Sequence, residues 1–222
     1  MAIDARKEQE ATLARGRMKY SLMARMLFEG MDLVYGKDLT LPKVRLLEIL
    51  ARIPYQAWEI RQYRLLNSRF ADPAAVQRAR DIMQWGRAAQ DNEFWHLRVV
   101  TERMARLGVR DTWFRDRLVR RIAAFKYVLF SHLLARFNIQ RAFLLNAEFE
   151  DHAEHEYMQF VADHPELEKE KVDNRAAAEG GAFASWADVF RRIGLDERDH
   201  MNESLIHCGR AAQVVPFVSQ TP

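Results

Sequence analysis

"DNEFWHL", residues 91–97, sets Glu93 and His96 three positions apart in a stretch free of glycine and proline from Arg87 to Leu107. That continuity predicts a helix, and in a helix residues i and i+3 share a face, so carboxylate and imidazole can converge on one cation. Read alone, E-x-x-H describes equally well a surface acid beside a core histidine. The pattern returns once, in "LDERDHM", residues 195–201, as Glu197 and His200. A chain of this composition yields roughly 0.5 such pairs by chance, so two is a mild excess.

Around these two segments the chain reads as helical throughout. Apolar residues make up 49% and charged residues 29%, a globular balance, and only nine glycines and six prolines punctuate 222 residues. Six helical stretches are expected: 8–29, closed by Gly30 and Gly36; 40–71, opened by Thr40 and Pro42; 73–107, with Asp72 as N-cap and Pro73 in the first turn; 112–136; 139–163, broken at His164-Pro165; and 185–208. Residues 165–184 read as a charged connection. No β-rich segment and no repeat appears. The expectation is an all-α bundle in a single domain, 1–222, with an amphipathic N-terminal helix over 1–35, the bundle over 40–209 and a tail over 210–222.

Cys208 is the only cysteine, so a transition metal would have to be held by histidine and carboxylate. The net charge of +3 is uneven: basic residues crowd 6–25 and 115–141, acidic ones 148–170. No nucleic-acid-binding motif accompanies the basic stretches, and no nucleic-acid partner is expected. The start, "MAIDARKEQEATLARGR", does not read as a secretory signal. The best candidate for a span, "IAAFKYVLFSHLLA" at 122–135, is short and carries Lys126, so no spanning helix is expected.

Two E-x-x-H helices fit the ferritin-like di-iron scheme, which needs one further inward glutamate from each of two other helices. On 40–71 the candidates are Glu48, set among Leu46, Leu47, Ile49 and Leu50, and Glu59, near Arg52, Arg61 and Arg64. An unpaired carboxylate in the first setting is costly. On 139–163, "NAEFEDHAEHEY" offers Glu148, Glu150, Glu154 and Glu156, and composition does not choose among them. Oxygen and imidazole ligands suit iron or manganese, and four carboxylates balance two divalent ions. Without cations, each buried glutamate would cost roughly several kcal/mol.

In this order the motifs resemble those of the alternative oxidase family, membrane-bound non-haem di-iron quinol oxidases that include the plastid terminal oxidases. "LEILARIPY" is similar to the family's first-ligand segment, "DNEFWHL" to its N-E-x-x-H-L segment, "EDHAEHEY" to its E-x-H-A segment with a tyrosine seven residues after the ligand, and "DERDH" to its D-E-x-x-H segment. The likeness covers about residues 40–205. It implies that Glu48, Glu93, His96, Glu150, Glu197 and His200 hold two Fe ions, with Tyr157 as a redox-active tyrosine. Asn92, His152 and Asp196 would orient the ligands, and Lys43, Arg45 and Leu47 would contact the quinol. The interval between Glu48 and Glu93 is longer than in typical members, and that between Glu150 and Glu197 shorter. Control through the regulatory cysteine of the plant enzymes is not expected.

The resemblance also implies a surface lying in one membrane leaflet, built from the first and fourth helices. Met18, Leu22, Met26 and Leu33 near Lys19 and Arg25, and Ile122, Phe125, Tyr127, Leu129, Phe130 and Leu133 among Arg120, Arg121, Lys126 and Arg136, suit that role. The implied activity is oxidation of a membrane quinol with reduction of O2 to water, without proton pumping. The implied state is a homodimer, peripheral or monotopic on the cytoplasmic face of a bacterial inner membrane. A di-iron monooxygenase acting on a quinone ring and a ferritin-like iron-binding protein are the alternatives.

Overall fold

Two proline-led segments set the frame. Thr40 and Pro42 open α3, Leu41–Ser68, and Asp72 caps α4, Pro73–Arg106, by accepting from the Ala74 and Ala75 N–H groups. Pro54 lies inside α3 and removes the N–H that would reach the Leu50 carbonyl. The computed structural model describes residues 3–218, so residues 219–222 of the expected tail lie outside the described residues. Among these it is all-helical, with eight α-helices and no strand.

The others are α1, Ala5–Ala14; α2, Leu22–Tyr35; α5, Arg120–Phe137, entered through a π-helical turn over Trp113–Val119; α6, Ile139–Asp163; α7, Arg175–Glu179; and α8, Trp186–His207. Asp4, Ser21, Asn138, Asn174 and Ser185 cap α1, α2, α6, α7 and α8 through their side chains. Helix α3 packs most extensively on α4, and α6 on α8; α3 also touches α6, and α4 touches α8. Gly194 permits the α6–α8 approach, since a Cβ there would stand 2.9 Å from Met158 Cε and 3.3 Å from Tyr157 Cβ.

The expected first helix, 8–29, is two helices with an irregular stretch between Arg15 and Ser21. The acidic side of α6 takes the backbone donors there: Met18 N–H donates to Asp151 at 2.9 Å and Ser21 N–H to Glu148 at 2.8 Å. Arg15 bonds Asp151 and Glu154, and Arg17 bonds Glu156. Gly30 does not end the second helix, which runs on to Tyr35.

The surface expected from the first and fourth helices is redistributed. Helix α1 is pulled inward, with Glu8 and Thr12 buried against Arg198, whose guanidinium also holds Glu154. Met18 packs against the Met201 and Leu205 cluster, and Tyr127 faces the core beside Leu50 and Phe149. Leu22, Met26 and Leu33 on α2, and Ile122, Phe125, Leu129, Phe130 and Leu133 on α5, are exposed, joined by Trp113, Phe114, Leu118 and Phe137. No described helix is long and apolar enough to cross a membrane.

Candidate metal centre

The four long helices bring six side chains to one buried place: Glu48 from α3, Glu93 and His96 from α4, Glu150 from α6, Glu197 and His200 from α8. They form two groups. Glu48, Glu93, His96 and Glu197 present ligand atoms all within 4.8 Å of one another, and Glu93, Glu150, Glu197 and His200 do the same. Glu93 and Glu197 belong to both, and each divides its oxygens. His96 Nδ1 lies 3.6 Å from Glu93 Oε2 and 3.2 Å from Glu197 Oε1; His200 Nδ1 lies 2.9 Å from Glu93 Oε1 and 3.4 Å from Glu197 Oε2. Glu48 Oε2 approaches His96 Nδ1 to 3.2 Å.

Despite these separations, eight of the atoms are buried without a hydrogen bond: Glu48 Oε2, both oxygens of Glu93 and of Glu197, Glu150 Oε2, and Nδ1 of each histidine. Orphaned buried carboxylates are expensive, and a group of them converging with imidazole lone pairs is a donor set for metal. Four carboxylates and two imidazoles without thiolate suit hard-to-borderline divalent ions, so these residues fit a pair of iron or manganese ions.

Electrostatics describe the same demand for positive charge. Burial pushes the Glu48 carboxyl up to about 8 against the pull of His96. Burial, with Glu197 and Glu93 adding to it, raises Glu150 well above the carboxylate range. Burial also acts to raise Glu93, but His200 and His96 outweigh it and hold that carboxyl at about 2. Both histidines are raised well above their ordinary value despite burial, by Glu48 and then Asp196 for His96, and by Glu197 and Glu93 for His200.

Beyond the ligand atoms, the two halves are supported alike. Tyr157 on α6 donates to Glu48 on α3, and Tyr55 on α3 donates to Glu150 on α6 at 2.9 Å. Asn146 donates to the same Glu150 oxygen at 2.9 Å and lies 3.1 Å from Ser204 Oγ. His96 Nε2 faces Asp196 Oδ2 at 3.2 Å, and Asn92 and Arg192 hold Asp196 in turn. Sequence reasoning named Tyr157, Asn92 and Asp196 but missed Tyr55, Asn146 and Ser204. The signal was helical spacing: Tyr55 and Ser204 stand seven residues after Glu48 and Glu197, as Tyr157 does after Glu150, and Asn146 stands four before Glu150.

Other named residues lie elsewhere. His152 faces the N-terminal segment, where Arg17 donates to its Nδ1 at 2.8 Å and Phe28 stacks on it at 3.9 Å. Two residues along a helix is about 200° around its axis, which turns His152 away from Glu150's face. Burial, then the Arg17 and Lys43 charges, lower its pKa to about 3. Lys43 is buried and donates to Asp32 and to the Gly36 and Lys37 carbonyls, tying the end of α2 to α3. Arg45 pairs with Asp111, and Leu47 packs in the core. Glu59 sits outside the cluster with Arg87 and Gln90.

The chain matches no family model, no curated protein and no solved structure.

Proposed function

We propose that this protein is a quinol:oxygen oxidoreductase, with α3, α4, α6 and α8 acting as a ferritin-like four-helix bundle around two iron ions. The observation that carries the reading is the set of eight buried ligand atoms without hydrogen bonds, arranged as two groups that share Glu93 and Glu197. When bound, iron supplies the redox capacity through which two quinols give four electrons and four protons to one O2, leaving two quinones and two waters. Glu93 and Glu197, which belong to both groups, would serve both ions, with Glu48 and His96 completing one set of ligands and Glu150 and His200 the other. Asp196, facing His96 Nε2, orients the imidazole so that Nδ1 turns to the ligand group. Tyr157 keeps its phenolic proton against Glu48, since burial and that carboxylate raise its pKa well above the ordinary value. It thus retains a hydrogen atom beside the site.

The exposed apolar side chains of α2 and α5, among them Leu33 at 89% exposure and Phe125 at 71%, support a membrane-facing role. Arg25, Arg120, Arg121, Lys126 and Arg136 stand among them in sequence, the composition of an interfacial helix that meets anionic head groups. This surface would deliver lipid-soluble quinol to a protein on the cytoplasmic leaflet, and a homodimer would cover part of it.

Oxygen uptake by membranes carrying the protein, with a short-chain quinol and cyanide present, tests the proposal. Glu150→Ala is expected to abolish uptake and Glu59→Ala to keep most of it; the reverse would overturn the ligand choice. Isotopically labelled O2 is expected to label water alone. Label in the quinone ring would assign a hydroxylase, and iron retention without quinol-dependent uptake an iron-binding protein.

A further inference from the structure

A second polar cavity lies apart from the six ligands. The last turns of α3 and α8 and the first turns of α4 and α6 enclose about 410 Å³. Arg61, Arg69 and Arg78 line it, and none of the three has an ion-pair partner among the described residues. Gln62 lines it too; it is 2% exposed, and its Nε2 is buried without a hydrogen-bond partner. The acid in the wall, Asp81, already accepts from Gln77 at 2.7 Å. The rest of the wall sets Gln140 and His207 beside apolar Leu65, Ile82, Ile139 and Phe143.

Gln62 Nε2 is thus a buried donor without an acceptor, which is costly, and the half-buried Arg61 and exposed Arg69 and Arg78 set three guanidinium groups around the same space, where the planar fork matches phosphate oxygens. The four larger apolar side chains in the wall suit a ligand with a hydrocarbon part as well. A second groove of about 160 Å³ opens beside the cavity. It shares Arg61 and Leu65 with the cavity and passes between α3 and α5, where Ala57 and Ile60 give it an apolar strip among Ser68, His132, Arg64 and Arg136, the two arginines again without ion-pair partners among the described residues. On that stretch of α5, Leu133 and Phe137 are exposed.

We propose that the cavity is a phospholipid site: Arg61, Gln62, Arg69 and Arg78 donate to the headgroup phosphate, and the acyl chains lie against Leu65, Ile82, Ile139 and Phe143 and leave past Ile60 and Ala57 toward the exposed face of α5. The choice of a lipid over free phosphate rests on the membrane association proposed above; the donor set does not.

Calorimetric titration of the purified full chain tests this with two soluble probes, inorganic phosphate and dihexanoyl-phosphatidylglycerol below its micelle concentration. The lipid is expected to bind, and inorganic phosphate to bind at least about tenfold more weakly because it leaves the apolar wall unused. The double variant Arg61→Gln/Arg78→Gln is expected to lose about tenfold or more of the lipid affinity, with circular dichroism and iron content unchanged. Ala75→Phe, which fills the cavity, is expected to weaken lipid binding as well, and it carries the test where the double variant loses its helical signal. Equal affinity in wild type and both variants, or no lipid binding, would overturn the site; phosphate binding as tightly as the lipid would overturn the lipid. Neither probe involves a bilayer, quinol or iron, so such a result leaves the oxidase reading standing. Failure of the wild type to float with anionic vesicles would instead remove the membrane association.

Discussion

Helix α6 carries acids on two sides, and their surroundings differ. On one side, Glu148, Asp151, Glu154 and Glu156 meet donors from the N-terminal segment: the Met18 and Ser21 N–H groups, the hydroxyls of Thr12, Tyr20 and Ser21, and the guanidinium groups of Arg15 and Arg17, with Arg198 from α8. On the other side, Glu150 turns one oxygen to Tyr55 and Asn146 and leaves its second buried and unpaired beside three more glutamates. Both sides are dense in acid. Only one has been given arginines; the other has two histidines for four glutamates and is left for cations from outside. What distinguishes a candidate metal site is thus the missing donor rather than the number of carboxylates.

The largest expected break in that comparison is at the shared residues. Glu93→Ala or Glu197→Ala removes a ligand from both groups, so bound iron should fall from about two equivalents per chain to fewer than about one. Asp151→Ala should leave the iron content unchanged, by elemental analysis of both proteins. Next comes the saturated side. Glu154→Ala takes away one of the carboxylates that neutralise buried Arg198 while Glu8 remains, so urea unfolding should show a loss of about 3 kcal/mol, the low end for a broken buried pair. Iron binding by the folded fraction should persist.

Chelation should separate the two sides by pH. In the metal-free folded protein Glu48 keeps its proton up to about 8, whereas in the unfolded chain it ionises in the ordinary carboxylate range. Between those limits the folded state holds more protons, so stability falls as pH rises. Glu150 is raised in the same direction, and the raised His96 and His200 also lose their contribution as pH increases. Glu93, lowered to about 2, opposes this only below the ordinary carboxylate range. Calorimetric melting of chelator-treated protein should therefore show a lower Tm near pH 8 than near pH 6, and iron should reduce the difference. The smallest effect belongs to Asp196→Asn, which weakens the orientation of His96 and should cost about 10–100-fold in metal affinity, read by competition with a chelating dye.

Most of the helices were legible because capping and proline signals are local: Asp72-Pro73 and His164-Pro165 bound α4 and α6 as their chemistry requires. The first helix was misread because its break is imposed from outside, by Asp151 and Glu148 taking main-chain donors more than a hundred residues away in sequence. His152 follows a family pattern, yet its position two residues from Glu150 directs it to Arg17 and Phe28. Tyr55 was overlooked because its partner is on another helix. The exchange of hydroxyls between α3 and α6, Tyr55 to Glu150 and Tyr157 to Glu48, exists only once the two helices are packed.

From residue order alone came the helical class, the two E-x-x-H pairs and a short roster of further glutamates, because the turn of a helix settles which neighbours share a face. Packing decided the rest: that Glu59 finds Arg87 at the surface while Glu48 is left in the interior, and that one acidic side of α6 is neutralised while the other is not. Those outcomes depend on distances between separate helices, and a carboxylate's role follows from which charges and donors reach it in space.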